Sequence, residues 1–364
     1  MSGKPPTPAP NAVSPGGWLR GTATVAVLAA GLLPFFFVIT RLTLFETVPR
    51  DDYTPFLLGL LGLPGGAIPG SPYGYRVLSV LAAVPFYFGL PPLQLTNTAA
   101  GLSPYVVRAT AALAFLSYLS LVGTLYATYR LARDRAGQDA ATALLAAALL
   151  FVLCWYSQFF AIDPLAILLV TAGLYWLPSR RGFALLLLPA PFINEKIVIV
   201  FALWLTLRCA TSRADRAALG AQWATAMAAL AIYAAAIALL HLPGNSYQLE
   251  PGGYLETLRV NLAAQVSARG VLLNLWPTAL LLGLGLVGHV GGPRRPGARW
   301  RPVGIFRPVD LLMIPALVAV ALVLTQFFQI GRIVIHAAPL FVVPAAAVLY
   351  RRLASAPAAE RPSP

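Results

Sequence analysis

The sequence predicts an all-α, polytopic integral membrane protein with about ten membrane crossings and further helices along the outer membrane surface. Three observations support this fold class. Hydrophobic residues make up 59% of the chain and charged residues 10%, the mean hydropathy is +0.75, and the basic residues occur in short clusters between apolar segments. Such a chain suits a lipid environment better than a water-shielded core.

The basic clusters fix the orientation of the predicted crossings. Short loops rich in Arg and Lys stay in the cytoplasm, so the net charge of +14 reflects topology. No basic domain, stacking platform or zinc-type spacing accompanies the clusters, which excludes nucleic acid as a partner. The clusters are Arg130, Arg133 and Arg135; Arg180 and Arg181; Arg208, Arg213 and Arg216; Arg294, Arg295, Arg299, Arg301 and Arg307; and Arg351 and Arg352.

The two ends of the chain are predicted as cytoplasmic tails around a single transmembrane domain. Residues 1–17 are rich in Pro, Gly and Ser, and residues 351–364 follow the last apolar segment, so the domain comprises residues 18–350. The first span, residues 18–40, is too long and continuous for a signal-peptide core, and no cleavage pattern follows it. We therefore expect an uncleaved first helix.

A large first outer loop follows from the next crossing. Residues 105–129 must return to the cytoplasm because the cluster at Arg130 follows them, and this places residues 41–104 outside. Two apolar pieces of this loop, residues 55–63 and 75–90, are short for spans. They are predicted as helices lying along the membrane surface.

The middle of the chain is predicted as two spans and a short re-entrant helix pair. Spans at residues 140–155 and 164–177 place Asp163 on the outer side. Residues 183–207 have arginines at both ends and are interrupted by prolines and charges. This pattern indicates two short helices that dip to the outer leaflet, with Asn194-Glu195-Lys196 at their tip.

The last third of the chain is predicted to cross the membrane four more times, at residues 217–240, 271–290, 311–328 and 333–350. The first two of these spans enclose a second outer loop, residues 241–268. The last two form a hairpin, with Gly331-Arg332 as its outer turn.

Charged residues close to a bilayer are costly and mark candidate functional sites. The adjacent carboxylates of Asp51 and Asp52 follow the first span directly, in a chain with few acids. The sequence contains no Gly-rich phosphate loop, no His/Cys metal pattern and no Gly-x-Ser-x-Gly nucleophile, so its chemistry must come from carboxylates and cations. The predicted topology brings to one outer face Glu46, Asp51, Asp52, Arg76, Asp163, Glu195, Lys196 and Arg332.

The order of these elements resembles the GT-C superfamily of polyprenyl-phosphate-sugar-dependent glycosyltransferases, which includes the aminoarabinose and protein mannosyl transferases. The resemblance covers residues 18–208 and the final hairpin; the chain has fewer spans than better-known members and no periplasmic domain after the last span. The elements that carry it are the acidic pair Asp51-Asp52, the aromatic-Arg element Tyr73-Gly74-Tyr75-Arg76, Asp163-Pro164, the tip residues Glu195-Lys196, and Arg332 followed by Pro339.

The resemblance implies an enzyme of the cytoplasmic (inner) membrane whose active site faces the periplasmic side. It would transfer a sugar, with inversion, from a polyprenyl-phosphate donor in the membrane lipid to a lipid, glycan or protein acceptor. Glycosyl transfer needs a base near the acceptor and positive charge near the leaving phosphate. Asp51 or Asp52 is the expected base, and Lys196, Arg332 and Arg76 are the expected phosphate ligands.

Three further residues are expected to support this site. Asp163 precedes Pro164 and fits a helix cap, and as a hard oxygen ligand it would also help to hold a divalent cation such as Mg²⁺ or Mn²⁺, as in some members of the superfamily. Glu195 is the acid at the helix-pair tip. His336 lies four residues after Arg332, so one helix face is expected to carry both.

Other interpretations of the same residues remain open. Lys196 could form an ion pair with Glu195 or Asp163, and Arg76 could extend to the lipid headgroups beside its tyrosines. Asp51 and Asp52 could simply solvate a loop and cap the following helix. The alternative function is a transporter or flippase of a polyprenyl-linked lipid, for which ionisable groups near the membrane midplane would be typical.

Overall fold

The computed structural model describes residues 22–23, 26–27, 29–31, 33, 53–69, 73–90, 103–154, 163–240, 253–289, 306–323 and 330–355. Within these ranges the regular structure is entirely helical, which confirms the all-α prediction. The helices are α1 Tyr53–Leu60, α2 Val77–Leu81, α3 Val84–Gly89, α4 Pro104–Arg130, α5 Ala140–Cys154, α6 Asp163–Trp176, α7 Arg180–Leu187, α8 Glu195–Thr211, α9 Arg213–Leu240, α10 Gly253–Gln265, α11 Trp276–His289, α12 Met313–Val323, α13 Ile330–Ile335 and α14 Pro339–Ser355.

Two helical segments have the length and composition to cross a membrane. One is α4 with its π-helical extension, Pro104–Arg135, and the other is α9. Most of the remaining apolar helices are shorter, such as α5, α6 and α11. The count of about ten crossings therefore stays a prediction.

The segment predicted as the first outer loop forms a small helical unit, α1–α3, that packs on α4. Helices α1, α2 and α3 share a buried apolar cluster with the first half of α4, which includes Phe56, Leu57, Val80 and Leu113. The Thr54 and Thr110 hydroxyls lie 3.3 Å apart at this interface. The packing fixes the position of the Tyr73–Tyr75 turn, from which Arg76 projects.

The short helix α7 and the turn after it carry the chain from the end of α6 back to the start of α8. Gln222 of α9 donates to the Leu177 carbonyl at the end of α6, whereas Phe192, just before α8, contacts Tyr233 farther along α9. Between these two points the chain runs along α9 in the direction opposite to α6. Helix α8 then turns back, so α6 and α8 run in the same direction. Their N-termini lie at the same end of the bundle.

Helices α6 and α8 approach each other closely at one glycine. A methyl group at Gly173 would lie 2.5 Å from the Phe201 ring, and Phe183 of α7 meets the same ring edge-on at 5.1 Å. The missing side chain lets α8 pack directly against α6.

The final hairpin differs from its prediction. Gly331 and Arg332 lie inside α13, and the turn comes after Ile335, where His336 N donates to the Ile333 carbonyl at 3.2 Å. Pro339 has no N–H to donate and opens α14, so the helix ends before it. The prediction that Arg332 and His336 share one helix face is therefore wrong.

Two other boundaries also shift. Helix α14 continues to Ser355, past the predicted end of the last span at residue 350. The segment predicted as a second outer loop contains helix α10.

Candidate functional site

The tip of the re-entrant helix pair is buried inside the bundle. Pro189 and Pro191 break the helix that precedes it, and Asn194 begins α8 as its N-cap, with Oδ1 accepting from Lys196 N at 3.1 Å. Asn194, Glu195 and Lys196 are 0%, 9% and 3% exposed. The sequence predicted this tip, but its three polar residues face the protein interior rather than the membrane surface.

Glu195 forms a buried, two-pronged ion pair with Arg76. Arg76 Nε donates to Glu195 Oε2 at 2.8 Å, Nη2 donates to Oε1, and Nη1 donates to the Tyr53 hydroxyl at 2.6 Å. Arg76 is 2% exposed, so it does not extend to lipid headgroups. The pair joins the α1–α3 unit to the N-terminus of α8.

Positive groups gather at this helix end. The Arg76 guanidinium pairs with the Glu195 carboxylate, and the buried Lys196 ammonium lies in the first turn of α8, where the helix dipole is positive. Among the residues that the structure describes, no acceptor reaches Asn194 Nδ2, although this nitrogen is buried. A buried cation, a free amide donor and a helix N-terminus together favour an anionic group.

Asp163 and His336 form a second buried pair. Asp163 is the first residue of α6 and lies with Oδ1 3.9 Å from His336 Nε2, and both side chains are fully buried. The structure thus brings together two predicted residues that are far apart in sequence.

Both pairs are recessed from the arginine-rich end of the bundle by similar lengths of helix. Pro164, next to Asp163, lies with its carbonyl oxygen 3.5 Å from the hydroxyl of Thr124. Thr124 is eleven residues before Arg135, so the two are about 17 Å apart along the helix at 1.5 Å per residue. Glu195 precedes Arg208 by thirteen residues on α8, or about 20 Å.

Of the other predicted site residues, Asp51 and Asp52 lie outside the described residues. The backbone of Arg332 lies in α13. The residue before it, Gly331, donates its N–H to Asn274 Oδ1 at 3.1 Å. Asn274 is buried, and no sequence pattern distinguished it.

The predicted divalent cation finds no complete ligand set in the described ranges, where no group of three or more His, Cys, Asp and Glu side chains converges. Asp163 and His336 supply two ligands, fewer than the oxygen-rich shell that Mg²⁺ prefers. We therefore assign no step to a cation.

Sequence reasoning missed a second ionic network at the other end of α8. Asp310 Oδ1 accepts from Arg208 Nε at 2.7 Å and from Trp204 Nε1 at 2.8 Å, and its Oδ2 accepts from Arg208 Nη2 at 2.9 Å and from Arg307 N at 2.6 Å. Asp215 closes the network, 2.8 Å from Arg307 Nη2. Arg208 and Arg307 were interpreted only as topology signals. The isolated acid Asp310, three residues after Arg307, was the available clue.

Comparisons of the chain with models of protein families, with curated proteins and with solved structures give no match. The resemblance to the GT-C superfamily therefore rests on the pattern of residues in the sequence.

Proposed function

We propose that this chain is a multi-pass glycosyltransferase of the cytoplasmic membrane that uses a polyprenyl-phosphate sugar donor and works, with inversion, at the outer face. The observation that carries the proposal is the buried N-terminus of α8. There the Asn194 amide and the Lys196 ammonium are buried side by side at a helix N-terminus, and Arg76 pairs with Glu195. Buried cations and an amide donor placed in this way suit a phosphate that gains charge during the reaction.

The chemistry divides between two groups of residues. As the acceptor oxygen or nitrogen attacks the anomeric carbon, the bond from that carbon to the phosphate oxygen breaks and negative charge moves onto the phosphate. Lys196 and the Asn194 amide stabilise that charge, with Arg332 as a second cation. Asp51 or Asp52 takes the proton of the acceptor.

The recess of the site fits a donor that is itself a lipid. The site lies about 17–20 Å along the helices from the arginine-rich end, which is more than half of a hydrocarbon core of about 30 Å. With that end at the cytoplasmic interface, the site lies in the outer half of the bilayer. At this depth the site would lie beside the part of the bilayer that holds a polyprenyl chain.

One observation favours the second candidate function, a flippase of a polyprenyl-linked lipid. The Asp163–His336 pair is fully buried and lies beside Thr124, about 17 Å from the arginine-rich end. In a hydrocarbon core of about 30 Å this depth is close to the midplane, where a transporter would place ionisable groups. A flippase would move the lipid without hydrolysing or forming a glycosidic bond. Transfer and translocation must therefore be measured separately.

The test uses purified protein in liposomes, a synthetic polyprenyl-phosphate donor with a radiolabelled sugar, and extracted lipids and glycans as acceptors. Asp51→Asn and Asp52→Asn remove charge at similar size, and the variant that loses the base should lose transfer by a factor on the order of 10²–10⁴ while keeping donor binding. Lys196→Ala should weaken donor binding as well as turnover.

Glu256→Gln is the control, because Glu256 pairs with Arg259 on an exposed face of α10. Transfer that survives in both aspartate variants would contradict the catalytic proposal. Movement of the donor between leaflets without any transfer would favour the flippase.

A further inference from the structure

Arg76 makes contacts to two separate parts of the candidate site. Its guanidinium binds Glu195 at the start of α8 and Tyr53 at the start of α1. We infer that Arg76 is a positioning residue that fixes the distance between these two segments, and not a ligand of the donor phosphate. The inference rests on the proposed function for its catalytic consequence, but its structural part can be tested alone.

The hydrogen-bond geometry leaves the guanidinium committed to protein. Each of its three nitrogens donates to Glu195 or Tyr53, and the side chain is 3% exposed. A phosphate ligand would instead direct at least one edge of the planar fork towards the substrate. The earlier expectation that Arg76 binds phosphate is therefore replaced.

The backbone around Arg76 is held as firmly as its side chain. Ser79 Oγ donates to the Arg76 carbonyl at 2.6 Å. The preceding residue, Tyr75, donates from its hydroxyl to the Ile237 carbonyl at 3.3 Å and meets the Tyr233 ring edge-on. These contacts with α9 hold the backbone of Arg76 in place while its guanidinium binds α1 and α8.

The bridge matters because of what lies next to its two ends in the sequence. Tyr53 directly follows Asp52, the candidate base, and Glu195 directly precedes Lys196, the candidate phosphate ligand. Neighbouring Cα atoms are about 3.8 Å apart, so a shift of either end moves a reactive group by a comparable amount. A misplacement of about 1 Å can lower a rate on the order of 100-fold.

The decisive substitution is Arg76→Lys, which keeps the charge but cannot bind two carboxylate oxygens and a hydroxyl in one plane. We expect kcat to fall by roughly 10- to 100-fold, with the KM for the donor changed by less than about twofold. Arg108→Lys is the matched control. Arg108 lies on α4 beside the same helical unit. It donates to the Phe88 and Leu90 carbonyls and lies over the Tyr87 ring, and its variant should keep both constants.

Tyr53→Phe removes a single hydroxyl and tests the bridge if the lysine variant does not fold. It should lower kcat by several-fold at constant KM, whereas Tyr87→Phe, a change in the same apolar cluster, should not. A raised KM with unchanged kcat in Arg76→Lys would identify Arg76 as a phosphate ligand and overturn the inference.

Hydrogen exchange of the amides gives a readout that needs no transfer activity. In Arg76→Lys, peptides covering α1 and the first turn of α8 should both exchange faster than in the wild type. Faster exchange in only one of them, or in neither, would refute the bridge. If the wild type transfers no sugar, the proposed function fails, and the exchange data alone decide whether Arg76 joins the two segments.

Discussion

Asp310→Asn is the substitution whose effect follows most directly from the structure. Asp310 is completely buried and its two oxygens accept four hydrogen bonds, two of them from Arg208. An asparagine has one carbonyl oxygen, and its NH₂ group would face donors. Arg208, which is 1% exposed, would lose the carboxylate that binds it on two nitrogens.

The expected loss of stability can be estimated from the charges. The network contains Arg208, Arg307, Asp215 and Asp310, with His289 Nε2 3.7 Å from Asp310 Oδ2, and Asp310→Asn removes one of its two carboxylates. Breaking a buried ion pair from one side costs about 3–5 kcal/mol, because the remaining charge stays desolvated. Replacing both partners, as in Arg208→Met with Asp310→Leu, restores neutrality and should recover most of this loss.

The assay is reversible unfolding in mixed micelles, with the free energy of unfolding obtained for each variant. The matched control is Glu256→Gln, because Arg259 also binds Glu256 on both oxygens, but that pair is 77% and 37% exposed. Water replaces the lost contacts there, and the unfolding midpoint should not move. If Asp310→Asn destabilises the protein no more than Glu256→Gln, the network carries no buried charge and the reasoning fails.

Two further predictions concern topology and packing. Single cysteines introduced at Gln94 and Gln138 should react with impermeant reagents from opposite sides of the membrane, because the arginine cluster beside Gln138 is cytoplasmic only if residues 75–90 do not cross; labelling from the same side would refute the topology. Gly173→Ala should destabilise by about 1–3 kcal/mol through collision with the Phe201 ring. Gly220→Ala, where a methyl group meets open space, is its control, and equal effects in thermal unfolding would contradict the close approach of α6 and α8.

Features with a local signal could be predicted from the sequence. Prolines and charges inside an apolar run indicated the helix-pair tip at Asn194-Glu195-Lys196, and α8 does begin there. The acid at Asp163, followed by proline, indicated a helix start, and Asp163 is the first described residue of α6. Each of these signals lies within a few residues of the feature that it predicts.

Features that depend on distant partners could not be predicted. Arg76 and Glu195 are 119 residues apart, and Arg208 and Asp310 are 102 residues apart. Nothing in either neighbourhood specifies the partner, and the positive-inside rule already gave Arg208 an explanation. The error at His336 had another cause. The prediction continued one helix from Arg332 through His336, whereas α13 ends at Ile335, before Pro339.

Helix α8 carries a buried ion pair at each end, Arg76–Glu195 and Arg208–Asp310. A slip of one residue in register would turn every side chain of an α-helix by about 100° and shift it by 1.5 Å, which would separate both pairs at once. The helix is therefore prevented from rotating about its long axis as well as from sliding along it. Any rearrangement that keeps both ion pairs must take place in the surrounding helices, with α8 as the stationary reference.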